Sequence, residues 1–329
     1  CTPGPTPVSP RRARPNPLHC FFVSKDLTTM HQRPFQQVDV FTATPYRGNP
    51  LAVVLDGSGL STEAMQDFTN WTNLSEATFL LPPTEAGRAA GADYRVRIFC
   101  PGRELPFAGH PTLGSCHAWL KAGGQPQVAG QVVQECGVGL VTLRQDGERL
   151  AFAAPPLIKS GPLAEDDVAL IARGLGVARS DILHHAWCDN GPNWRGVMLA
   201  SSEQVLALKP DASLLGQLDV GVVGPTAEGG ASAPRGKVGV IGSTDAEGIA
   251  FEVRAFFPGN NGLAEDPVTG SLNAALAQWL IGAGLAPAQY VASQGTCLGR
   301  AGRVHVQQEG DTIWVGGHSV TCMAGEVLL

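Results

Sequence analysis

The chain has 329 residues, 43% hydrophobic and 16% charged, with 41 glycines and 25 prolines. That length suits about two domains with their own cores; no apolar run approaches the ~20 residues of a membrane helix, and Gly plus Pro stay below low-complexity levels. The formal net charge of −6 hides a basic start (Arg11, Arg12, Arg14, Lys25, Arg33) on an acidic remainder, which repels phosphate backbones and points to a small-molecule partner rather than nucleic acid.

Cys1 to Pro34 is rich in proline, lacks periodicity and holds no apolar stretch long enough for a secretory signal. Residues 1–34 are expected to be a disordered leader or a non-native extension ahead of Met30, with the folded body starting near Phe35. A targeting role stays open. Gln37 to Phe41 reads as a strand, followed by a turn through Pro45 to Gly48-Asn49-Pro50 and a strand from Leu51 to Leu55. Ser61 is placed to cap a helix whose apolar face would carry Met65, Phe68 and Trp71. Ala77–Leu81 and Tyr94–Phe99 read as strands, Pro111 to Ala122 as a helix closed by Gly123-Gly124, and Val128 to Phe152 as two or three strands. A Pro155-Pro156 break precedes a helix around Glu165 to Arg173. Short strands with hairpin-type connections define an α+β chain rather than a doubly wound sheet.

An internal repeat divides the chain. Tyr94 to Gly102 matches Phe251 to Gly259 at an offset of 157, and Glu104-Leu-Pro-Phe-Ala-Gly-His110 matches Glu265-Asp-Pro-Val-Thr-Gly-Ser271 at an offset of 161. Each copy runs into an apolar helix. Two related halves are expected, 35–155 and 156–329, with the last strands free to cross back to the first half. Each motif sets a glycine (Gly109, Gly270) and then a polar residue (His110, Ser271) at a helix start. Such starts present free N–H groups and partial positive charge, and two facing each other across a cleft could hold a carboxylate.

Two carboxylates stand out. Glu76, in Asn73-Leu-Ser-Glu-Ala-Thr-Phe79, follows polar Ser75 and precedes apolar residues; a carboxyl in apolar surroundings has the raised pKa that a general base near neutrality needs. Spacing alone also allows a solvated strand-end glutamate. Asp266 before Pro267 is equally compatible with an ordinary turn. His184-His185 with Cys188 and Asp189 does not read as a metal site, because adjacent strand residues face opposite ways. His117 and Cys116 read as packing or interface residues, and Arg300 and Arg303 as surface or inter-domain charges. The eight cysteines show no C-x-x-C or zinc spacing, so free thiols in a reducing, cytoplasmic setting are expected.

Together Gln37 to Phe41, Gly48-Asn49-Pro50, Asn73 to Phe79, Glu104 to Gly114 and Glu265 to Ser271 resemble the PhzF-like phenazine biosynthesis proteins, over about nine-tenths of the chain. The resemblance implies a diaminopimelate-epimerase-like fold: two pseudo-symmetric halves, each a curved, mostly antiparallel sheet around a central helix. It implies a homodimeric isomerase, free of cofactor and metal, acting on a carboxylate-bearing cyclic substrate like trans-2,3-dihydro-3-hydroxyanthranilate. Glu76 would be the acid/base, with His110, Asp266 and Ser271 relaying protons and orienting the ring. Ser75, Gly109, Thr269 and Gly270 would bind the substrate. The epimerase cousins use two cysteines, where this chain has Ala108 and Thr269, so a two-thiol mechanism is not available. Isomerisation of another small amino or hydroxy acid, and non-catalytic binding of a small acid, are the rival readings.

Overall fold

A computed structural model describes residue 4 and residues 30–226, 248–259 and 262–329. The sequence expectation for the leader lies almost entirely outside the described residues. Its last three positions do not fit that expectation: Gln32, Arg33 and Pro34 are strand, in register with Leu328, Val327 and Glu326. The partner strand lies at the far end of the chain, out of reach of local pattern.

Two runs of strands carry the same order of pairings. In the first, Gln32–Val40 pairs antiparallel with Asn49–Val54, which runs parallel to Ala77–Leu81. That strand is antiparallel to Tyr94–Cys100, which is parallel to Gln131–Cys136, and antiparallel pairings follow to Gly139–Asp146 and Arg149–Ala153. In the second run the strands are His184–Trp187, Arg195–Met198, Val220–Pro225, Ile249–Gly259, Gln289–Gln294, Gly302–Glu309 and Thr312–Gly317. Their pairings are again antiparallel, parallel, antiparallel, parallel, antiparallel, antiparallel. The short partners in each motif match as well, Arg103–Leu105 on the first copy and Gly262–Asp266 on the second. Thr312–Gly317 joins the runs by pairing with Arg149–Ala153, and Ser319–Leu328 crosses back onto Gln32–Val40. The architecture is the α+β, pseudo-symmetric one that the repeat implies.

Each half wraps a thirteen-residue helix, Gly109–Lys121 and Gly270–Gly282. Both are buried on nearly every side, the first through Leu113, Cys116 and Ala118, the second through Leu272, Leu276 and Leu280. A helix apolar around its circumference belongs in a core, where each fully buried Leu contributes roughly 1.5–3 kcal/mol. Small residues let the sheet close on it: a Cβ on Gly114 would meet Leu51 and Val40, and one on Gly221 would meet Leu272. The first helix starts two residues before the expected Pro111, because Gly109 and His110 already belong to it.

The helix Thr62–Thr72 forms as its cap predicts, with Ser61 Oγ accepting from Ala64 N at 3.1 Å. It buries Met65 and Thr69, whereas Trp71 is 83% exposed. Steps of three fall short of a full turn: six residues on from Met65 lies about 120° around the helix, off the buried stripe.

Candidate active site

Glu76 is aimed by the end of that helix. Asn73 closes it in the left-handed conformation, with φ 59°, a region Asn tolerates better than most side chains. The chain turns sharply and Glu76 emerges at the mouth of Ala77–Leu81. Its side chain is 17% exposed, and its Oε2 is buried without a hydrogen-bond partner. The apolar-surroundings reading of Glu76, rather than the solvated one, is what the packing gives.

Across from it stands His110, in the first turn of Gly109–Lys121 and 5% exposed. Its Nε2 lies 3.5 Å from Glu76 Oε2 without hydrogen-bonding geometry, and Nε2 is likewise buried and unpartnered. Burial pushes the imidazole pKa down to about 3, so the ring is neutral and can serve as donor or acceptor.

Asp266 lies at the end of Gly262–Asp266, held by a hydrogen-bonded network rather than left in a turn. Thr269 Oγ1 donates to Asp266 Oδ2 at 2.6 Å, and Asn49 Nδ2 donates to Asp266 Oδ1 at 2.9 Å. Gln294 Nε2 donates to Thr269 Oγ1 (2.9 Å), while Gln294 Oε1 accepts from Thr269 N (3.0 Å) and from Asn273 Nδ2 (2.8 Å). Thr269, expected to touch substrate, thus has its hydroxyl committed to Asp266 and stands behind it. Ser75 takes no part in these contacts.

The two helix starts meet directly. A Cβ on Gly270 would stand 3.0 Å from Gly109 Cα and 3.2 Å from His110 N, and a Cβ on Gly109 would stand 3.0 Å from Gly270 Cα. The glycines therefore let two backbones touch, where the sequence pattern suggests the approach of a ligand. Neither helix has a side-chain cap, so the first-turn N–H groups, which have no intrahelical acceptor, gather at one point. Ser271 is fixed from a third direction. Trp194 Nε1 donates to Ser271 Oγ at 3.1 Å and Asn190 Nδ2 to Ser271 O at 2.8 Å. The loop carrying both is shaped by Asp189, whose Oδ1 accepts from Gly191 N and Asn193 N. With a lone pair of Ser271 Oγ taken by Trp194, its own proton is left to donate.

The electrostatics separate the two carboxyls. Burial, aided by the charge of Asp266, raises Glu76 to about 8; burial raises Asp266 to about 6 against the lowering pull of Thr269 and Asn49. Burial thus holds both carboxyls toward the protonated form, Glu76 the more strongly. Paired groups whose pKa values are pushed apart mark acid/base sites.

The remaining singled-out residues lie elsewhere. Cys116 is buried, and Cys100 is half-buried with its thiol raised by burial and by the charge of Glu76, so neither is a thiolate. His117 Nε2 lies 3.0 Å from Thr321 Oγ1 on the returning strand. His185 Nδ1 accepts from Leu163 N, and among the described residues no group of three His, Cys, Asp or Glu is placed to hold a metal ion. Arg300 bridges the halves, with Nη1 3.4 Å from both Tyr46 O and Gly48 O. A cavity of about 240 Å³ at the seam between Arg149 and His305 shares no lining residue with the site. No helix among the described residues is long and apolar enough to cross a membrane.

Asn49, Gln294 and Trp194 carry no chemical signature in the sequence, although Gly48-Asn49-Pro50 and Gln294-Gly295 lie in the stretches that carry the family resemblance. Their burial, 0% for Asn49 and Gln294, is the signal, and it exists only in three dimensions.

Fold and site together define a two-lobed protein with a largely buried glutamate beside paired helix starts. The chain belongs to the PhzC-PhzF family, phenazine biosynthesis-like proteins, whose model matches residues 38–325. It is 33% identical over 278 residues to trans-2,3-dihydro-3-hydroxyanthranilate isomerase of Pseudomonas aeruginosa, covering 83% of this chain and 89% of that one. It is 33% identical to antisense-enhancing sequence 1 of Schizosaccharomyces pombe, covering 90% and 99%. The crystal structure of a PhzF-family phenazine biosynthesis protein from Bacillus anthracis superposes with a TM-score of 0.71 at 22% identity, covering 91% of this chain and all of that one.

Proposed function

We propose that the protein is a cofactor-independent isomerase that moves a proton between carbons of a small cyclic acid, with Glu76 as general acid and base. The observation that carries this reading is the unpartnered Glu76 Oε2 facing the unpartnered His110 Nε2 at 3.5 Å. Two buried polar atoms without partners cost stability, and a substrate would relieve both.

A carboxylate would sit at the uncapped starts of Gly109–Lys121 and Gly270–Gly282, drawn by their N–H groups. Ser271, oriented by Trp194, would donate to it or to a neighbouring hydroxyl. Glu76 in its ionised form takes a proton from one ring carbon; the electron pair moves through the conjugated system, and the same carboxyl returns the proton at another carbon. With a pKa near 8, Glu76 is a stronger base than an exposed glutamate while still ionising near working pH. Ionised Asp266 sustains that basicity. A substrate like trans-2,3-dihydro-3-hydroxyanthranilate is supported by the relatives that bear that name.

Glu76→Gln is the test. A panel of hydroxylated cyclic and amino acids in D₂O, followed by NMR, should show proton exchange with the wild type and a loss of about 10²–10⁴-fold in the variant. Undiminished exchange by a folded Glu76→Gln would remove Glu76 from the reaction.

A further inference from the structure

Asn49 sits where the two halves meet and touches both. Its Nδ2 donates to Asp266 Oδ1 and to Val268 O, each at 2.9 Å, and lies 3.5 Å from His110 Nδ1. The residue is wholly buried, yet its Oδ1 has no partner. A buried orphan acceptor lowers stability, so an apolar residue of the same size would suit the fold better than a carboxamide. What the carboxamide supplies is its donor end. That end is aimed from behind: Asp39 Oδ2 accepts from Gly48 N at 3.0 Å, and a Cβ on Gly48 would strike Val40 O and Thr42.

We propose that Asn49 is a positioning residue for the proton transfer, the two hydrogens of its NH₂ group tying the Asp266 carboxylate and Val268 O into one arrangement at the site. This rests on the acid/base reading of the site. At Asp266 the donated hydrogen bond favours the ionised carboxylate. The groups facing Asp266 are Asn49, Thr269, Glu265 and Glu76; those facing His110 are Glu76 and Asn49; behind Asn49 lie Asp39 and Arg300.

Asn49→Leu keeps the branched shape and removes both donors, and Asn49→Ala serves as the second variant. Carboxyl titration by ¹³C NMR needs no substrate. Both variants should raise the Asp266 midpoint from about 6 by roughly one pH unit. Mere loosening of the fold would admit water and move Asp266 the other way, toward the ordinary carboxylate range. On a turned-over substrate, kcat should fall about tenfold with KM little changed. An Asp266 midpoint that stays or drops, or failure of both variants to fold, would overturn the proposal. If the wild type titrates as described but exchanges protons on no acid tried, the functional reading fails and the NMR result still decides Asn49.

Discussion

The two helix starts are the same backbone and opposite chemistry. Gly109–Lys121 and Gly270–Gly282 are equal in length, uncapped, and in contact through their first glycines. Around the first, His110 and Glu76 leave buried polar atoms unpartnered. Around the second, Asp266, Thr269, Gln294, Asn273, Ser271 and Trp194 are tied into hydrogen bonds. Duplication thus supplies two matched, uncapped helix starts, and divergence of the flanking side chains leaves buried polar atoms unpartnered on one wall and bonded on the other. A dry wall keeps a carboxyl basic; a bonded wall keeps its neighbours still.

The largest effect that would break this contrast is on stability. Glu76 titrates near 8 in the fold against 4.5 ordinarily. The unfolded chain releases that proton first, so wild-type stability falls as pH rises between those values and levels off above. A carboxamide in its place does not titrate, so the advantage of Glu76→Gln over wild type should grow across that window by roughly 3–5 kcal/mol, read by denaturant melts at pH 4.5 and 8.5. A constant difference would mean the wall is wet.

Next comes the shared cradle. Gly270→Ala would press a methyl onto Gly109 and His110 backbone and should cost about 1–3 kcal/mol, with activity falling further than stability explains. Gly282→Ala, at the other end of the same helix and with open space around it, should be neutral or stabilising by about 0.5–1 kcal/mol. Equal costs at both positions would separate the glycine contact from the site. The smallest effect sharpens the bonded wall: Trp194→Phe removes the N–H that holds Ser271 and should cost about 1 kcal/mol of transition-state stabilisation, a several-fold drop in kcat/KM.

Much of this was legible in the residues. The matched motifs at 94–110 and 251–271 forecast the repeated strand order, because one ancestral hydrophobic pattern folds the same way twice. His110 and Ser271 could be singled out because each follows the glycine of a helix start, whereas Glu76 and Asp266 took their roles from the family resemblance, spacing alone allowing a solvated glutamate and an ordinary turn. Trp71 could not be placed, since a six-residue step leaves the apolar face, and the bonds of Thr269 to Asp266 and Gln294 could not be read along the chain.

By itself the sequence determined the α+β class, the duplication, the two helix starts and the absence of a cysteine before each glycine, all of which are local patterns or comparisons along the chain. Tertiary structure alone decided that the glycines touch each other, that Ser319–Leu328 returns to Gln32–Val40, and that Asn49 holds Asp266. Those contacts link residues tens to hundreds of positions apart, and burial, which sets the basicity of Glu76, is a property of everything packed around a group rather than of the group.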